Sequence, residues 1–179
     1  MNRAFFFDRD GVINASPGEG RYVLSWEDFH FLPGLREVLA FLKAQGWVTV
    51  VVTNQQCVAK GLISRQDLDD LHRRMNAALG PLAFAATHVC PHPAAAQCPC
   101  RKPQPGMARQ AAAELALDLS QSWLVGDHDR DIEFAGHAGI GHAVRFVSEK
   151  EVRRRGEFLV HSHAELLEVL RRHPDFAPP

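Results

Sequence analysis

Short apolar runs alternate with longer amphipathic segments along this 179-residue chain. The runs predict six β-strands, at residues 4–7, 48–53, 84–89, 122–125, 143–147 and 158–160. The segments between and after them predict five helices, near residues 35–45, 65–79, 106–117, 129–138 and 164–172. In the second helix, spacings of three and four residues predict one buried apolar stripe, formed by Leu68, Leu71, Met75 and Leu79.

Strands that alternate with helices favour right-handed crossovers. They predict an α/β fold of three layers, a mostly parallel, Rossmann-like sheet with helices on both faces. We expect a single domain over residues 1–173 and a loose, proline-containing tail over residues 174–179. No long insertion separates the predicted strands, so no large cap domain is expected, and loops must cover the mouth of any site.

The composition excludes several classes of protein. Hydrophobic residues make up 46% of the chain and the formal net charge is −1, which predicts a folded core and no bulk attraction for nucleic acid or anionic lipid. The sequence shows neither an apolar stretch long enough to span a membrane nor the pattern of a secretion signal. We therefore expect a cytoplasmic monomer with no nucleic-acid or membrane partner.

Polar side chains gather where the predicted strands end. Asp8 follows the first strand and Thr53 closes the second. Lys102 lies in the loop after the third strand, and Asp127 follows the fourth. Open α/β sheets bind ligands at this edge. Two converging carboxylates repel unless a cation lies between them, and hard oxygen donors suit Mg²⁺, which keeps positions for water and phosphate. The sequence therefore predicts a magnesium-dependent phosphate site.

The stretch "DRDGVIN" supplies the candidate chemistry. Asp8 beside a metal and a lysine could attack phosphorus and form an aspartyl phosphate. Asp10, with its pKa raised by its negative neighbour, could protonate the leaving group and then activate water. Attack by a metal-bound hydroxide fits the same spacing, and Asp-x-Asp-Gly also suits a simple turn. The predicted magnesium ligands are Asp8, Asp10 and Asp127, although the side chain of Asp10 is not required for this.

Asp131 lies four residues after Asp127, on the same face of the following predicted helix. We expect it to support the water shell of the metal without binding the ion directly. An acidic residue in the first turn of a helix is equally typical of a helix that is stabilised through its dipole, and the sequence does not separate the two interpretations.

A second cluster lies in "CPHPAAAQCPC", where Cys90, His92, Cys98 and Cys100 offer three thiolates and one imidazole. This is the ligand set of a closed, structural zinc site. The one-residue gaps are tighter than the usual two to four, so free buried thiols remain the alternative. The loop leads directly into Lys102, so an ordered metal site would position that lysine.

Four motifs, "DRDGVIN", "VVVTNQ", "CRKP" and "GDHDRD", occur in this order at predicted strand ends. Together they resemble the motifs of the haloacid dehalogenase (HAD) superfamily of phosphatases. The resemblance implies the aspartyl-phosphate route, with Asp8 as nucleophile and Asp10 as acid and base. It also implies that Thr53 binds phosphate, that Lys102 stabilises it and that Asp127 binds Mg²⁺.

Within that superfamily, the pattern CxH…CxCRKP is similar to the bacterial D,D-heptose 1,7-bisphosphate 7-phosphatases and to histidinol-phosphate phosphatase domains. "YVLSWEDFHFLPG", "TNQQCVAKG" and "CRKPQPGM" are closer to the heptose enzymes. The resemblance thus implies removal of the 7-phosphate of a heptose bisphosphate, a precursor of the ADP- or GDP-heptose of lipopolysaccharide core; histidinol phosphate is the alternative substrate. The substrate-binding residues implied are Gly20, Arg21, Tyr22, Asn54, Gln55, Gln56, Arg101 and His128.

The chain departs from the heptose enzymes at Cys57, and two other classes of protein share some of its features. Cys57 stands where the heptose enzymes commonly have glycine; if that glycine needs a positive φ, Cys57 must adopt a strained backbone or reshape the phosphate loop. Its side chain is either a reactive thiol or a small buried group, and the second interpretation is favoured. A receiver-like signalling module also pairs acidic residues with a lysine, but it has no zinc loop. A zinc-organised nucleic-acid binder is disfavoured by the net charge of −1.

Overall fold

In the part of the chain that the structure describes, six parallel strands form one sheet; numbered along the chain, they lie side by side in the order β3-β2-β1-β4-β5-β6. The computed structural model of the protein describes residues 1–148 and 151–177. The strands are β1 (Ala4–Phe7), β2 (Val48–Asn54), β3 (Ala86–Cys90), β4 (Trp123–Gly126), β5 (His142–Phe146) and β6 (Phe158–Val160).

Strand β1 lies between β2 and β4, with Phe6 opposite Val50 on one side and Leu124 on the other. All of its residues are fully buried. Phe5 and Phe7 pack into the core on one face of the sheet, while Phe6 packs into the core on the other. A strand covered on both faces needs apolar residues at every position, which explains its continuous apolar sequence.

Helices cover both faces of the sheet. Their bounds are α1 (Leu35–Ala44), α2 (Arg65–Leu79), α3 (Gly106–Leu115), α4 (Asp129–Ala138) and α5 (His163–Arg172). Helices α1, α2 and α5 pack on the face of Phe5 and Phe7, and α3 and α4 pack on the opposite face. The predicted three-layer α/β architecture is confirmed. Among the described residues, we find no helix with the length and apolar character needed to cross a bilayer.

The sequence-based bounds differ from these by at most two residues. The largest differences are at the start of β3 and at the end of α3. Helix α3 stops at Leu115 because Ala116 adopts a left-handed conformation, with φ 52°. Such a residue cannot continue a right-handed helix.

The C-terminal segment differs from the expected loose tail. Residues 174–176 form a short 3-10 turn, and Phe176 is buried against Trp47 with ring centroids 4.6 Å apart. Asp175 accepts hydrogen bonds from the Trp123 indole at 2.8 Å and, at its carbonyl, from the Arg3 guanidinium at 3.0 Å. The prolines suggested a free end, but one aromatic side chain gains enough by burial to hold residues 174–177 against the core. Residues 178–179 lie outside the described part of the chain.

The chain between β1 and α1 is a packed loop rather than a cap domain. Throughout residues 8–34, all of them described, the backbone forms turns and isolated bridges and no helix. Trp26 stacks on Phe29, Phe31 contacts both rings edge-on, and all three pack against the Phe5 and Phe7 face of the core. Loops therefore border the carboxyl edge of the sheet, as expected.

Candidate active site

Three neighbouring strands end at one point of the sheet. Asp8 directly follows β1, Asp127 follows β4, and Thr53 lies one residue before the end of β2. The chain leaves β1 toward β2 on one side, and β4 lies on the other, so this edge is the topological switch point where α/β sheets bind ligands. All three side chains are buried. The structure therefore brings together the groups that the sequence placed at separate strand ends.

Lys102 reaches this point from the loop after β3. Its Nζ lies 2.9 Å from Asp8 Oδ1 and 2.7 Å from Asp131 Oδ1, and it donates to the carbonyl of Val52 at 2.9 Å. Burial disfavours the charged ammonium, but the two carboxylates outweigh it, so the pKa of Lys102 lies above its usual value. A fixed positive charge thus lies against Asp8, where it can stabilise negative charge that develops at that oxygen.

The carboxylate of Asp131 contacts both Lys102 and the start of α4. Besides the ion pair with Lys102, its Oδ2 accepts from the backbone N–H of His128 at 2.9 Å, as part of a capping box at the start of α4. The imidazole of His128 caps the same helix, since its Nδ1 accepts from Arg130 N at 3.2 Å. A Cβ at Gly126 would overlap the Asp131 side chain, so this close approach requires glycine there.

Asp8, Asp127 and Asp131 form a buried group of carboxylates. Each offers an oxygen, and these oxygens lie within 4.8 Å of one another. The ammonium of Lys102 neutralises only one of these three negative charges, and the excess negative charge is costly in a buried site. An all-oxygen donor set with few protein ligands fits Mg²⁺, which retains several waters. The carboxylate of Asp10, which the sequence included among the ligands, does not belong to this group.

Gly11 lets the backbone pass directly against this group. Its φ is 89°, and a Cβ built on it would overlap the carboxylate of Asp127. Both the left-handed conformation and the close approach require glycine. The glycine of "DRDG" therefore has a steric function in addition to forming the turn.

We expect Gly11→Ala to lower the rate of phosphate release by about 100-fold or more, because the new methyl group displaces Asp127 and small misplacements in an active site are this costly. Gly46→Ala is the matched control, since Gly46 also has a positive φ, 74°, but nothing lies within 4 Å of its added Cβ. Steady-state kinetics on both variants, normalised to folded protein, would measure the difference. Equal activities would show that the contact with Asp127 does not matter.

Asp10 is held by four donors. The Arg9 guanidinium contacts both of its oxygens, Asn14 donates to Oδ1 at 2.9 Å, and Gln55 donates to Oδ2 at 2.8 Å. Burial alone would raise the pKa of Asp10, but the Arg9 charge and these hydrogen bonds outweigh burial and lower it. The expected rise in the pKa of Asp10 caused by Asp8 is therefore wrong for this state of the site, because nothing in the local sequence indicates that Arg9 folds back onto Asp10.

The last residue of β2, Asn54, and the residue after it, Gln55, hold other groups of the site in place. Gln55 is fully buried and donates to Thr53 Oγ1 at 2.9 Å as well as to Asp10. The side-chain amide of Asn54 exchanges two hydrogen bonds with the backbone of Lys102, at 3.0 and 3.1 Å. Both residues were predicted to contact substrate, but in the structure their amides hold Asp10 and the lysine loop.

Tyr22, Gln56 and Lys60 form a hydrogen-bonded group, which we call the polar wall. The Tyr22 hydroxyl accepts from Gln56 Nε2 at 2.8 Å and from Lys60 Nζ at 2.9 Å. Arg101 is partly exposed and donates to the carbonyl of His92 at 3.1 Å. Two further members of the predicted wall, at positions 20 and 21, are exposed. The structure thus links the 15–22 loop to the loop after β2 through one tyrosine.

Cys90, His92, Cys98 and Cys100 converge on one point. The contacts among their sulfurs and with His92 Nδ1 measure 3.2 to 3.7 Å. A tetrahedral ion with Zn–S bonds of about 2.3 Å and Zn–N bonds of about 2.0 Å gives edges of about 3.5 to 3.8 Å. The spacing thus agrees with a closed metal site to within a few tenths of an ångström, and these four side chains could hold a metal ion.

Several residues at the site were missed by sequence reasoning. Arg9 and His72 are buried beside Asp10, and Lys60 lies at the polar wall. The burial of His72 could have been predicted, since it lies four residues after Leu68 and three before Met75, on the buried stripe of α2. Cys57, whose conformation was in question, has no positive φ and packs with Ile63 in a small apolar cluster, so it is a small buried residue.

Comparison with known proteins also identifies the chain as similar to phosphatases. Residues 99–144 match the HAD-hydrolase-like family. The chain is 37% identical over 165 residues to the D-glycero-beta-D-manno-heptose-1,7-bisphosphate 7-phosphatase of Vibrio cholerae, covering 87% of each chain. It is 34% identical over 181 residues to the enzyme of the same name from Photorhabdus laumondii, covering 94% of this chain and 95% of that one.

A solved structure supports the assignment. The D,D-heptose 1,7-bisphosphate phosphatase of B. bronchiseptica, complexed with magnesium and phosphate, superposes with a TM-score of 0.78 at 30% identity. The match covers 94% of this chain and 97% of that one. The fold is thus shared with a phosphatase over 94% of the chain. We conclude that the chain is a HAD phosphatase and belongs to the family of the heptose-1,7-bisphosphate 7-phosphatases.

Proposed function

We propose that this protein hydrolyses the 7-phosphate of D-glycero-beta-D-manno-heptose 1,7-bisphosphate through an aspartyl phosphate on Asp8. The observation that carries the mechanism is the contact of Asp8 and Asp131 with the buried ammonium of Lys102, beside the carboxylate of Asp127. The observation that supports the substrate is the similarity to relatives that bear this name, which extends over most of the chain.

Asp8 and Asp127 would hold Mg²⁺, and Asp131 would assist from its position beside Lys102. The oxygen donors, their burial and their excess negative charge support this assignment. When bound, the ion supplies positive charge that neutralises the phosphoryl oxygens during transfer. Asp131 Oδ1 is paired with Lys102 and Oδ2 accepts from the His128 N–H, so we assign Asp131 to holding Lys102 and water molecules at the site.

In the first step, a carboxylate oxygen of Asp8 attacks the phosphorus and the bond between phosphorus and the sugar oxygen breaks. Lys102 and the backbone N–H of Arg9 hold Asp8 Oδ1, at 2.9 and 2.8 Å, and so fix the orientation of the carboxylate. Asp10 delivers the proton that the leaving alkoxide requires. Thr53 lies within the same cluster and offers its hydroxyl to a phosphate oxygen.

In the second step, water attacks the phosphorus of the aspartyl phosphate, its proton passes to Asp10, and the bond between Asp8 and phosphorus breaks. Inorganic phosphate and the Asp8 carboxylate are the products, so Asp10 ends each cycle protonated and ready to act as an acid again. Its low pKa before substrate binds is consistent with the Arg9 contact, and the incoming negative phosphate adds a charge that favours protonation.

Substrate contacts would come from the polar wall. Tyr22, Gln56 and Lys60 form one hydrogen-bonded unit, and Arg101 precedes Lys102 directly. We assign Arg101 and Lys60 to the charged end of the sugar phosphate that does not react. Gly20 and Arg21 would border the same opening, and His128 would lie at the side of α4.

We further propose that the cysteine cluster binds Zn²⁺ and orders the loop that presents Lys102. Desolvation raises the pKa of Cys98, but hydrogen bonds with the Cys100 and Cys90 thiols outweigh it and lower that pKa to about 7. The shape of the cluster supports a structural ion, since the four side chains leave no open position. Because zinc binding requires reduced thiols, we place the reaction in the cytoplasm. We also propose that the chain acts as a monomer on a small sugar phosphate.

Removal of one ligand would test the zinc assignment. We expect about one equivalent of zinc in the purified protein and its loss in Cys98→Ser, together with a lower kcat, because closed sites use all four ligands. Cys57→Ser is the matched control. The Cys57 thiol packs with Ile63 and donates to Gln55 Oε1 at 3.4 Å, a contact that a hydroxyl can keep, and Cys57 is not a member of the cysteine cluster, so we expect the zinc content to be unchanged. Elemental analysis of both variants would decide; zinc retained in Cys98→Ser would contradict the assignment.

The substrate is tested by measuring phosphate release in Mg²⁺ from the β and α anomers of D-glycero-D-manno-heptose 1,7-bisphosphate, histidinol phosphate and fructose 1,6-bisphosphate. We expect the highest kcat/KM for the β anomer, with the heptose 1-phosphate as product. A preference for histidinol phosphate would overturn the proposed substrate but not the mechanism. Failure to release phosphate from any of these esters would contradict the proposed enzyme as a whole.

If the substrate is correct, the product fits one kind of metabolic step. A heptose 1-phosphate has the anomeric phosphate that a nucleotidyl transfer needs, so the following reaction would form an ADP- or GDP-heptose for lipopolysaccharide core. The enzyme must therefore leave the 1-phosphate intact, which is the reason to place cationic side chains at the non-reacting end.

A further inference from the structure

Arg9 lies between the two aspartates of the first motif, yet its side chain is fully buried. A guanidinium carries five N–H donors and no acceptor, so burial is tolerated only if partners accept from it. Two of its nitrogens, Nε and Nη2, contact the Asp10 carboxylate at 2.9 to 3.1 Å. These contacts pin the carboxylate from one side.

The remaining terminal nitrogen, Nη1, lies 3.1 Å from Nε2 of His72, on helix α2. Because the guanidinium can only donate, the imidazole must accept at Nε2 and is therefore neutral. Burial and the Arg9 charge agree with this, since they lower the pKa of His72 to about 3. His72 is 6% exposed, so no bulk water competes for the guanidinium there.

The chain thus contains a relay of contacts from a helix on one face of the sheet to the catalytic edge. His72 holds Arg9, and Arg9 holds Asp10. Asn14 and Gln55 hold the same carboxylate through neutral amides, so Arg9 is the charged member of its support. Without an acceptor at position 72, a buried N–H of Arg9 would lose its partner, which costs about 1–3 kcal/mol and favours a different side-chain position.

We propose that His72 is a positioning residue, which fixes the Arg9 guanidinium so that Arg9 holds the Asp10 carboxylate in the orientation required for proton transfer. The inference rests on the phosphatase reaction proposed above, in which Asp10 serves both steps. A misplaced Asp10 slows proton transfer without weakening the binding of phosphate, so the effect belongs to kcat and not to KM.

The test compares two substitutions at one position. His72→Leu removes the acceptor, and we expect kcat to fall about 10- to 100-fold, the range that a displacement of about 1 Å produces, with KM changed less than about threefold. His72→Gln offers an amide oxygen to Arg9, and we expect it to retain most of the activity. If the two variants lose kcat equally, or if neither loses it, the proposal is wrong.

A double-mutant cycle separates positioning from a general loss of stability. If His72 acts through Arg9, then His72→Leu should cause no further loss of kcat in an Arg9→Met background. His163→Leu is the control for removal of a buried imidazole. His163 begins helix α5, is 1% exposed, and its Nδ1 contacts the carbonyl of Pro33 at 3.2 Å. We expect that control to lower stability and to leave kcat per folded molecule unchanged.

Failure of this inference can be distinguished from failure of the proposed function. If the wild-type protein releases no phosphate, the function is wrong. If the wild type is active and the two substitutions at position 72 behave alike, or if the losses at positions 9 and 72 simply add, then only the positioning role is wrong. Denaturant unfolding of every variant gives the folded fraction to which each kcat is normalised.

Discussion

Asp8→Asn is expected to abolish phosphate release, with kcat lower by about 10⁴-fold or more, the order found when a covalent nucleophile is removed. An amide nitrogen or oxygen at this position is a poor nucleophile, and the substitution also removes one of the carboxylates that face Lys102. The fold should survive, because asparagine has nearly the same shape and the loss of one negative charge relieves repulsion from Asp127 and Asp131.

The measurement has two parts. Phosphate release is assayed with Mg²⁺ in excess, so that weaker metal binding does not mimic the loss of the nucleophile. Wild-type protein is also quenched with acid during turnover, and the peptide that contains Asp8 is searched for the mass of an added phosphoryl group. Asp70→Asn, an exposed carboxylate on α2 paired with Arg73, is the control that should keep full activity. Activity in Asp8→Asn, or turnover without any adduct, would support attack by a hydroxide instead.

Lys102→Met is expected to remove activity and a large part of the stability together. The ammonium is buried between Asp8 and Asp131, so its removal leaves two carboxylates uncompensated, and breaking a buried ion pair in this way costs about 3–5 kcal/mol. The rate should fall because no cation then stabilises the charge on the transferring phosphoryl group. Urea denaturation and steady-state kinetics measure the two effects separately.

A second substitution distinguishes the two roles of the lysine. In Lys102→Met with Asp131→Asn, one of the two stranded charges is removed, so we expect part of the stability to return while activity stays low. If activity returned with stability, the lysine would serve folding alone. If Lys102→Met by itself were as stable as the wild type, the ion pairs seen in the structure would contribute little to the free energy of unfolding.

Much of the architecture could be predicted from local sequence. The bounds of α2 and α4 agree with the periodicity of their apolar residues, and β1 is recognisable as an apolar run that ends at Asp8. These patterns are local because a helix or strand repeats its contacts every few residues. The motif residues were likewise found at strand ends, and the parallel topology then required that Asp8, Thr53 and Asp127 approach one another.

The support of the site could not be predicted in this way. Asn54 and Gln55 were expected at the substrate, yet their amides bind the backbone of Lys102 and the carboxylate of Asp10. Their role depends on which polar group lies within about 3 Å, the length of a hydrogen bond, and that is decided by packing between segments far apart in the chain. The direction of the Asp10 pKa shift has the same origin, because it follows from the contact with Arg9 and not from spacing to Asp8.

The amino-acid sequence alone was enough to predict the order of strands and helices along the chain, the edge at which the chemistry lies, and the residue types that meet there. The tertiary structure decided how those groups are held: the ion pairs of Lys102, the contact of His72 with Arg9, and the burial of Phe176 that secures the C-terminal segment. The reason is physical. Periodicity and turn chemistry act over a few residues, whereas a buried charge or ring is stabilised only by partners that the folded chain brings to it.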